Sequence, residues 1–185
     1  PMEEPYSLRN CPHRETILAI QTAALEAVEP GAAVRRHVQK CDDRLVINGQ
    51  SYDLTAIERI WAVGGGKAAS AMAAALYAIL GERLSGGLVV TKYGHRQPHL
   101  ETGPVEIVEA GHPLPDEAGV AGTQRMADLL AGVGERDLVL AVISGGGSAL
   151  LTLPAPGLTL EDLKRTTELL LHSGATIVEI NTVRK

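Results

Sequence analysis

Gly64, Gly65, Gly66 and Lys67 lie within WAVGGGKAASAMAAAL (61–76), between an apolar run and an alanine-rich stretch. A second stretch, LAVISGGGSALL (140–151), repeats the arrangement as Ser144, Gly145, Gly146, Gly147 and Ser148, with hydroxyls in place of the lysine. Glycine lets backbone approach a ligand closely and adopt positive φ. Where such a loop runs into a helix, exposed N–H groups and the helix dipole favour an anion. Lys67 adds a mobile positive charge. Two such loops suit a site for phosphate and carboxylate groups. The other use of a glycine triplet is a tight turn in which backbone packs closely on a neighbour.

Two phosphate motifs compete for the first loop. The P-loop needs Gly-x-x-x-x-Gly-Lys-Ser/Thr. Here Ala68 follows Lys67, so the hydroxyl for Mg²⁺ is missing and the glycine spacing is wrong. The Gly-x-Gly-x-x-Gly/Ala fingerprint of dinucleotide folds matches as Gly64, Gly66 and Ala69. It expects an acidic residue at the end of the next strand for a ribose hydroxyl. That strand ends at Thr91-Lys92, which suits a 2′-phosphate and leaves an NADP enzyme open. The second loop does not match Gly-x-Ser-x-Gly, so nucleophilic serine chemistry is poorly supported.

Other polar residues fall where they could join the site. His112 and Asp116, in GHPLPDE, follow a strand. His112 can hydrogen-bond a ligand or brace the turn that Pro113 and Pro115 stiffen. Asp116 can bind substrate or cap the next helix. Asn181, Arg184 and Lys185 are spaced three and four apart, on one face of a helix, and can point an amide and two charges at a substrate or at solvent. His13, His37, His95, His99 and His172 have no metal-ligand spacing, and no metal site is expected.

These residues need a scaffold. Residues 13–29 carry Ile17, Ile20, Ala24 and Val28 at helical spacing, with Pro12 at the start and Pro30-Gly31 at the end. RLVINGQSYDL reads as a hairpin about Asn48-Gly49. Buried strands are expected at 60–63, 86–92, 104–110 and 137–143. Helices are expected at 67–80, closed by Gly81, and at 116–130. Another follows from about Thr159, the N-cap of a capping box with Asp162, and ends at Gly174. A last helix begins on Ile177, Ile180 and Val183, and the chain stops inside it. Strands that are continuous apolar runs, alternating with helices, predict a three-layer α/β/α, Rossmann-like parallel sheet. Ligands of such sheets bind beyond the carboxyl ends of the strands, where both glycine loops fall.

Composition narrows the class. The 185 residues are 45% hydrophobic and 21% charged, as in a globular chain, and only 3% aromatic with no Phe. The core must be Ala, Val, Leu and Ile. A net charge of −5 argues against a nucleic-acid partner. No run approaches the ~20 apolar residues of a membrane span. The opening PMEEPYSLRN lacks a basic segment followed by an apolar one, so the cytoplasm is the expected location. Cys11 and Cys41 fit neither a disulfide framework nor a zinc site.

Five stretches in order resemble the glycerate kinase family that carries a MOFRL domain: VGGGKAA (63–69), AGHPLPDEAG (110–119), ISGGGSALL (143–151), LPAPGLTLEDL (153–163) and LLLHSGATIVEINTVRK (169–185). The helix ILAIQTAALEAVEP resembles the opening helix of that family. The resemblance implies ATP-dependent phosphorylation of D-glycerate with Mg²⁺. It implies that residues 1–185 are the N-terminal part of the α/β domain, truncated before its end, with the MOFRL domain absent. Lys67 then binds the glycerate carboxylate or the transferred phosphoryl, and Ser144 to Ser148 hold nucleotide phosphates with Gly64 to Gly66. His112, Asp116, Asn181, Arg184 and Lys185 are substrate candidates. A homodimer is one assembly open to such a protein. The alternatives are an NADPH-dependent hydroxypyruvate reductase and a catalytically silent ligand-binding domain.

Overall fold

The computed structural model describes residues 11–183. Arg184 and Lys185 lie outside the described residues. The chain begins with α1 (Arg14–Ala27) and α2 (Pro30–His37). Pro30-Gly31 therefore starts a helix as well as ending one. Glu29 caps α2 by accepting from the N–H groups of Gly31 and Ala32, and Pro30 sits at the first helical position, where its missing N–H removes no bond. The apolar stripe of α1 is only partly covered: Ile17 is half-buried, Ile20 is 64% exposed, and Val28, just past the helix end, is 69% exposed.

A small antiparallel sheet follows, from β1 (Val38–Cys41), β2 (Arg44–Ile47) and β3 (Gln50–Asp53) in that order. β2 and β3 form the expected hairpin. Ile47 pairs with Gln50, and Asn48 and Gly49 both have positive φ, 49° and 84°. β1 is an addition that the sequence reading missed.

The main sheet has β4 (Arg59–Gly65), β5 (Leu84–Lys92), β6 (Val105–Ala110) and β7 (Asp137–Ile143), all parallel, in the order β6-β5-β4-β7. The chain winds outward from β4 to β6, then returns to place β7 on the other side of β4. This is the reversal of a doubly wound sheet, and its crevice lies between β4 and β7. The two glycine loops follow these two strands.

Helices cover both faces. α3 (Ala69–Leu80) lies on one, with α2 and the small sheet, over Ile60, Ala62 and Val89. α4 (Glu117–Ala131) and α5 (Gly147–Leu150) lie on the other, with Val63, Leu88, Val90 and Met126 in the core. Strand residues alternate between the two cores, as a period of two requires. α6 (Leu160–His172) and α7 (Ile177–Val183) close the described chain. Thr159 and Asp162 form the capping box expected for α6. α3 starts at Ala69 rather than at residue 67, so Lys67 precedes the helix instead of lying in its first turn.

One ion pair fastens β4 and β7 at their amino ends, the edge of the sheet opposite the crevice. Arg59 donates to both carboxylate oxygens of Asp137, at 2.9 and 2.6 Å, and to the Gly132 carbonyl at 3.0 Å. It thereby joins β4, β7 and the end of α4. The Arg59 hydrogen bonds, and then the Gly134 N–H, hold the Asp137 carboxyl below the usual carboxylate range. A depressed carboxylate contributes stability above its unfolded value, about 3.9, and loses it as pH falls through the folded value. Asp137→Asn should lower the melting temperature at pH 7, and the gap to wild type should narrow at pH 3. Melts with an equal gap at both pH values would contradict this role.

Candidate functional site

The two glycine loops are bonded to each other. Lys67 N–H donates to the Gly145 carbonyl at 2.9 Å, Ser144 N–H to the Gly65 carbonyl at 3.1 Å, and Ala68 N–H to Ser144 Oγ at 3.0 Å. Gly66 N–H goes to the Val90 carbonyl at 3.0 Å, and Ala69 N–H to the Gly66 carbonyl at 3.1 Å. The N–H groups from Gly66 to Ala69 are thus all engaged inside the protein. The glycines permit this contact. A Cβ on Gly64 (φ +143°) would lie 2.0 Å from the Val142 carbonyl oxygen, and one on Gly66 (φ +137°) would lie 2.1 Å from Ser144 Oγ. For Gly64 and Gly66, close packing of backbone on backbone accounts for the residue type. A Cβ on Gly65 would strike Leu151 at 2.7 Å, which is packing again.

The second loop is more open. Among the described residues, the N–H groups of Gly145 and Gly146 have no hydrogen-bond partner. A Cβ on Gly145 would meet nothing within 4 Å. Gly146 has φ +96° and lies under the His112 ring, with its Cβ position 3.1 Å from His112 Nε2. Lys67 is exposed at the rim. The loop after β4, the loop after β7 and the loop after β6 therefore meet at the carboxyl end of the sheet, with two open donors, a cation and an imidazole between them. That set can hold an anion.

His112 is cationic less readily than a free histidine. Burial is the largest cause, and the Lys67 and Lys92 charges push the same way. Burial and the two lysines both disfavour the imidazolium, which would be a third positive charge in the group. A bound phosphate would cancel that repulsion. We expect the His112 titration, followed by NMR in the intact protein, to shift upward when inorganic phosphate or nucleotide is added. An unmoved titration would place the anion elsewhere.

Asp116 is the N-cap of α4. Its Oδ1 accepts from Gly119 N–H at 2.9 Å and its Oδ2 from the Tyr93 hydroxyl at 2.8 Å. Burial alone would raise its pKa, but the N–H groups of Gly111 and Gly119 and the Tyr93 hydroxyl outweigh it and keep the carboxylate charged. Both oxygens are committed to holding the His112 loop. Ser144 Oγ is likewise committed as an acceptor to the first loop. Ser148 is exposed beside the second loop. Asn181 is exposed on α7. Among the described residues, no group of three or more His, Cys, Asp and Glu gathers to hold a metal. That bears on a dedicated protein cage for a metal and not on a Mg²⁺ held mainly by nucleotide phosphates with one or two carboxylates.

Two supporting roles are missed by the sequence reading: Thr91 stands there only as a strand end, and Tyr93 is passed over. The buried Thr91 hydroxyl donates to the Gly66 carbonyl at 3.1 Å and supports the first loop from β5. Tyr93, next to the end of that strand, holds Asp116. Polar residues at the carboxyl end of an otherwise apolar strand were the signal available.

A family model described as "Domain of unknown function (DUF4147)" matches residues 16–185. The glycerate 2-kinase of Pyrococcus horikoshii is 42% identical over 172 residues, covering 93% of this chain and 38% of that protein. A solved structure of glycerate kinase from Thermotoga maritima superposes with a TM-score of 0.73 at 40% identity, over 94% of this chain and 39% of that one. A putative hydroxypyruvate reductase of Agrobacterium vitis is 49% identical over 123 residues, covering 66% of this chain and 31% of its own. The chain thus spans less than two fifths of the length of each of these relatives.

Proposed function

The chain belongs to the family described as Domain of unknown function (DUF4147), and from there we propose that it holds the phosphate and substrate-anion site of a kinase that transfers the γ-phosphoryl of ATP to the 2-hydroxyl of D-glycerate. The observation that carries this reading is the pair of open N–H groups at Gly145 and Gly146 between Lys67 and His112. The names of the relatives supply the reaction and the position on glycerate. Residues 1–185 are then the N-terminal part of the α/β domain, with the MOFRL domain outside them.

In this reading Gly145 and Gly146 donate to phosphate oxygens. Lys67 neutralises either the glycerate carboxylate or the charge that develops on the phosphoryl in flight. The His112 imidazole, which burial and the two lysines disfavour as a cation, accepts a hydrogen bond from a substrate hydroxyl. The glycerate oxygen bonds to the γ-phosphorus while the bond from that phosphorus to the β–γ bridging oxygen breaks. The electron pair leaves on ADP, and the hydroxyl proton is released. Phosphoryl transfer asks the protein for position and charge rather than covalent chemistry, and this site offers both.

The reductase alternative needs a dinucleotide on the Gly64–Ala69 fingerprint. The N–H groups of that loop are engaged internally, which leaves a pyrophosphate no donors there. No single helix among the described residues is long and apolar enough to cross a membrane. A cytoplasmic location, small-molecule partners only and a homodimer complete the proposal. The test is a coupled assay on the intact protein. ADP release that requires both ATP and D-glycerate supports the kinase. Oxidation of NADPH by hydroxypyruvate, without glycerate-dependent ADP release, overturns it.

A further inference from the structure

A cavity of about 450 Å³ opens between the His112 loop, α5, the segment leading into α6, α6 itself and the end of α7. Pro115 and Ser148 both line it. Pro115 is three residues beyond His112, and Ser148 two beyond Gly146. Two residues of chain span at most ~7 Å, so this cavity borders the proposed phosphate site. Its other walls are mainly apolar, with Leu151, Leu153, Pro154 and Leu158 among them. Leu153 and Leu158 are 45% and 51% exposed, so these leucines border open space rather than fill a core. Of the hydroxyls in the wall, Thr152 is committed to the Ala149 carbonyl at 2.8 Å.

We propose that this cavity binds the base of the nucleotide; the proposal rests on the kinase reading above. The two substrates differ in the surface they offer. D-Glycerate is a three-carbon acid with two hydroxyls and no apolar face. Leucine and proline walls would strip its water and return no hydrogen bonds. A purine has two flat apolar faces, gains by burial against such walls, and its nucleoside suits a cavity in the common size range for ligand pockets. The placement orients the nucleotide. The base lies by α5 and α6, the phosphates cross Gly145 and Gly146, and the transferable group points toward Lys67. Glycerate is left the polar side of the site, by Lys67 and His112.

The experiment uses the intact protein, with calorimetric titrations of ATP and of tripolyphosphate, which has phosphates and no base. Wild type should bind ATP at least tenfold more tightly than tripolyphosphate. Leu158→Glu, on an exposed loop, should weaken ATP at least tenfold, leave tripolyphosphate within about twofold, and leave the glycerate KM unchanged. Equal wild-type affinities would overturn the proposal without recourse to any variant. So would a Leu158→Glu variant that binds ATP normally, or one that loses both ligands together. In each of these cases, glycerate-dependent ADP release by wild type keeps the kinase reading standing. A wild type that binds no ATP and releases no ADP fails both.

Discussion

Gly64→Ala should abolish the native fold, or lower its stability by more than about 4 kcal/mol, a loss that single substitutions reach only by a specific severe mechanism. The mechanism here is a collision that cannot relax. The added Cβ would lie 2.0 Å from the Val142 carbonyl oxygen and 2.9 Å from the Val142 nitrogen. Both belong to β7, which is paired with β4 along its whole length from Asp137 to Ile143. Neither strand can withdraw without breaking the ladder that joins them. The φ of +143° is itself unfavourable to any residue with a side chain. Gly145→Ala is the control, because its Cβ meets nothing within 4 Å. Thermal melts of the two intact variants decide the matter. Gly145→Ala should melt close to wild type, and a Gly64→Ala protein that did the same would refute the packing of the first loop.

Lys67→Ala should have the largest effect on catalysis. Its side chain is exposed, and the backbone N–H that binds the Gly145 carbonyl is untouched by the change. Stability should therefore move by less than ~0.5 kcal/mol. Activity should not be spared. If the ammonium neutralises charge during transfer, removing it should reduce kcat/KM for glycerate by a hundredfold or more, several kcal/mol of transition-state stabilisation. Lys67→Arg should rescue only in part, since a planar fork does not replace a compact ammonium in the space that His112 shares. Steady-state kinetics of the intact enzyme, alongside melts, make the check. Near-native kinetics in the alanine variant would reduce Lys67 to a surface charge.

The sheet was legible because its strands are continuous apolar runs between glycine and proline breaks. β7 falls at Asp137–Ile143, the expected residues, and the Thr159-Asp162 capping box formed as read. α2 was missed because Pro-Gly after an acidic residue signals both the end of one helix and the start of the next. Only the Glu29 carboxylate over two N–H groups settles which. The apolar spacing of α1 correctly announced a helix, but periodicity does not say whether a face is covered. At the candidate site the residue types were legible in the sequence, and the contacts among them were not. Ser144 and Ala68 are 76 positions apart, and nothing local in either loop shows that one caps the other. Two similar glycine triplets therefore looked like two anion loops. In the fold, the first supplies contact with its neighbour and the second is left open.

That division is tested most directly by the backbone amides themselves. In the intact protein, a non-hydrolysable ATP analogue should shift the Gly145 and Gly146 amide resonances downfield as their open N–H groups gain acceptors. The amides of Gly66, Lys67 and Ala68 should be protected from hydrogen exchange before the analogue is added and remain so afterwards, because their acceptors are Val90, Gly145 and Ser144. The opposite pattern, with Gly66 to Ala68 shifting and Gly145 and Gly146 unmoved, would contradict the account and return the phosphates to the first loop.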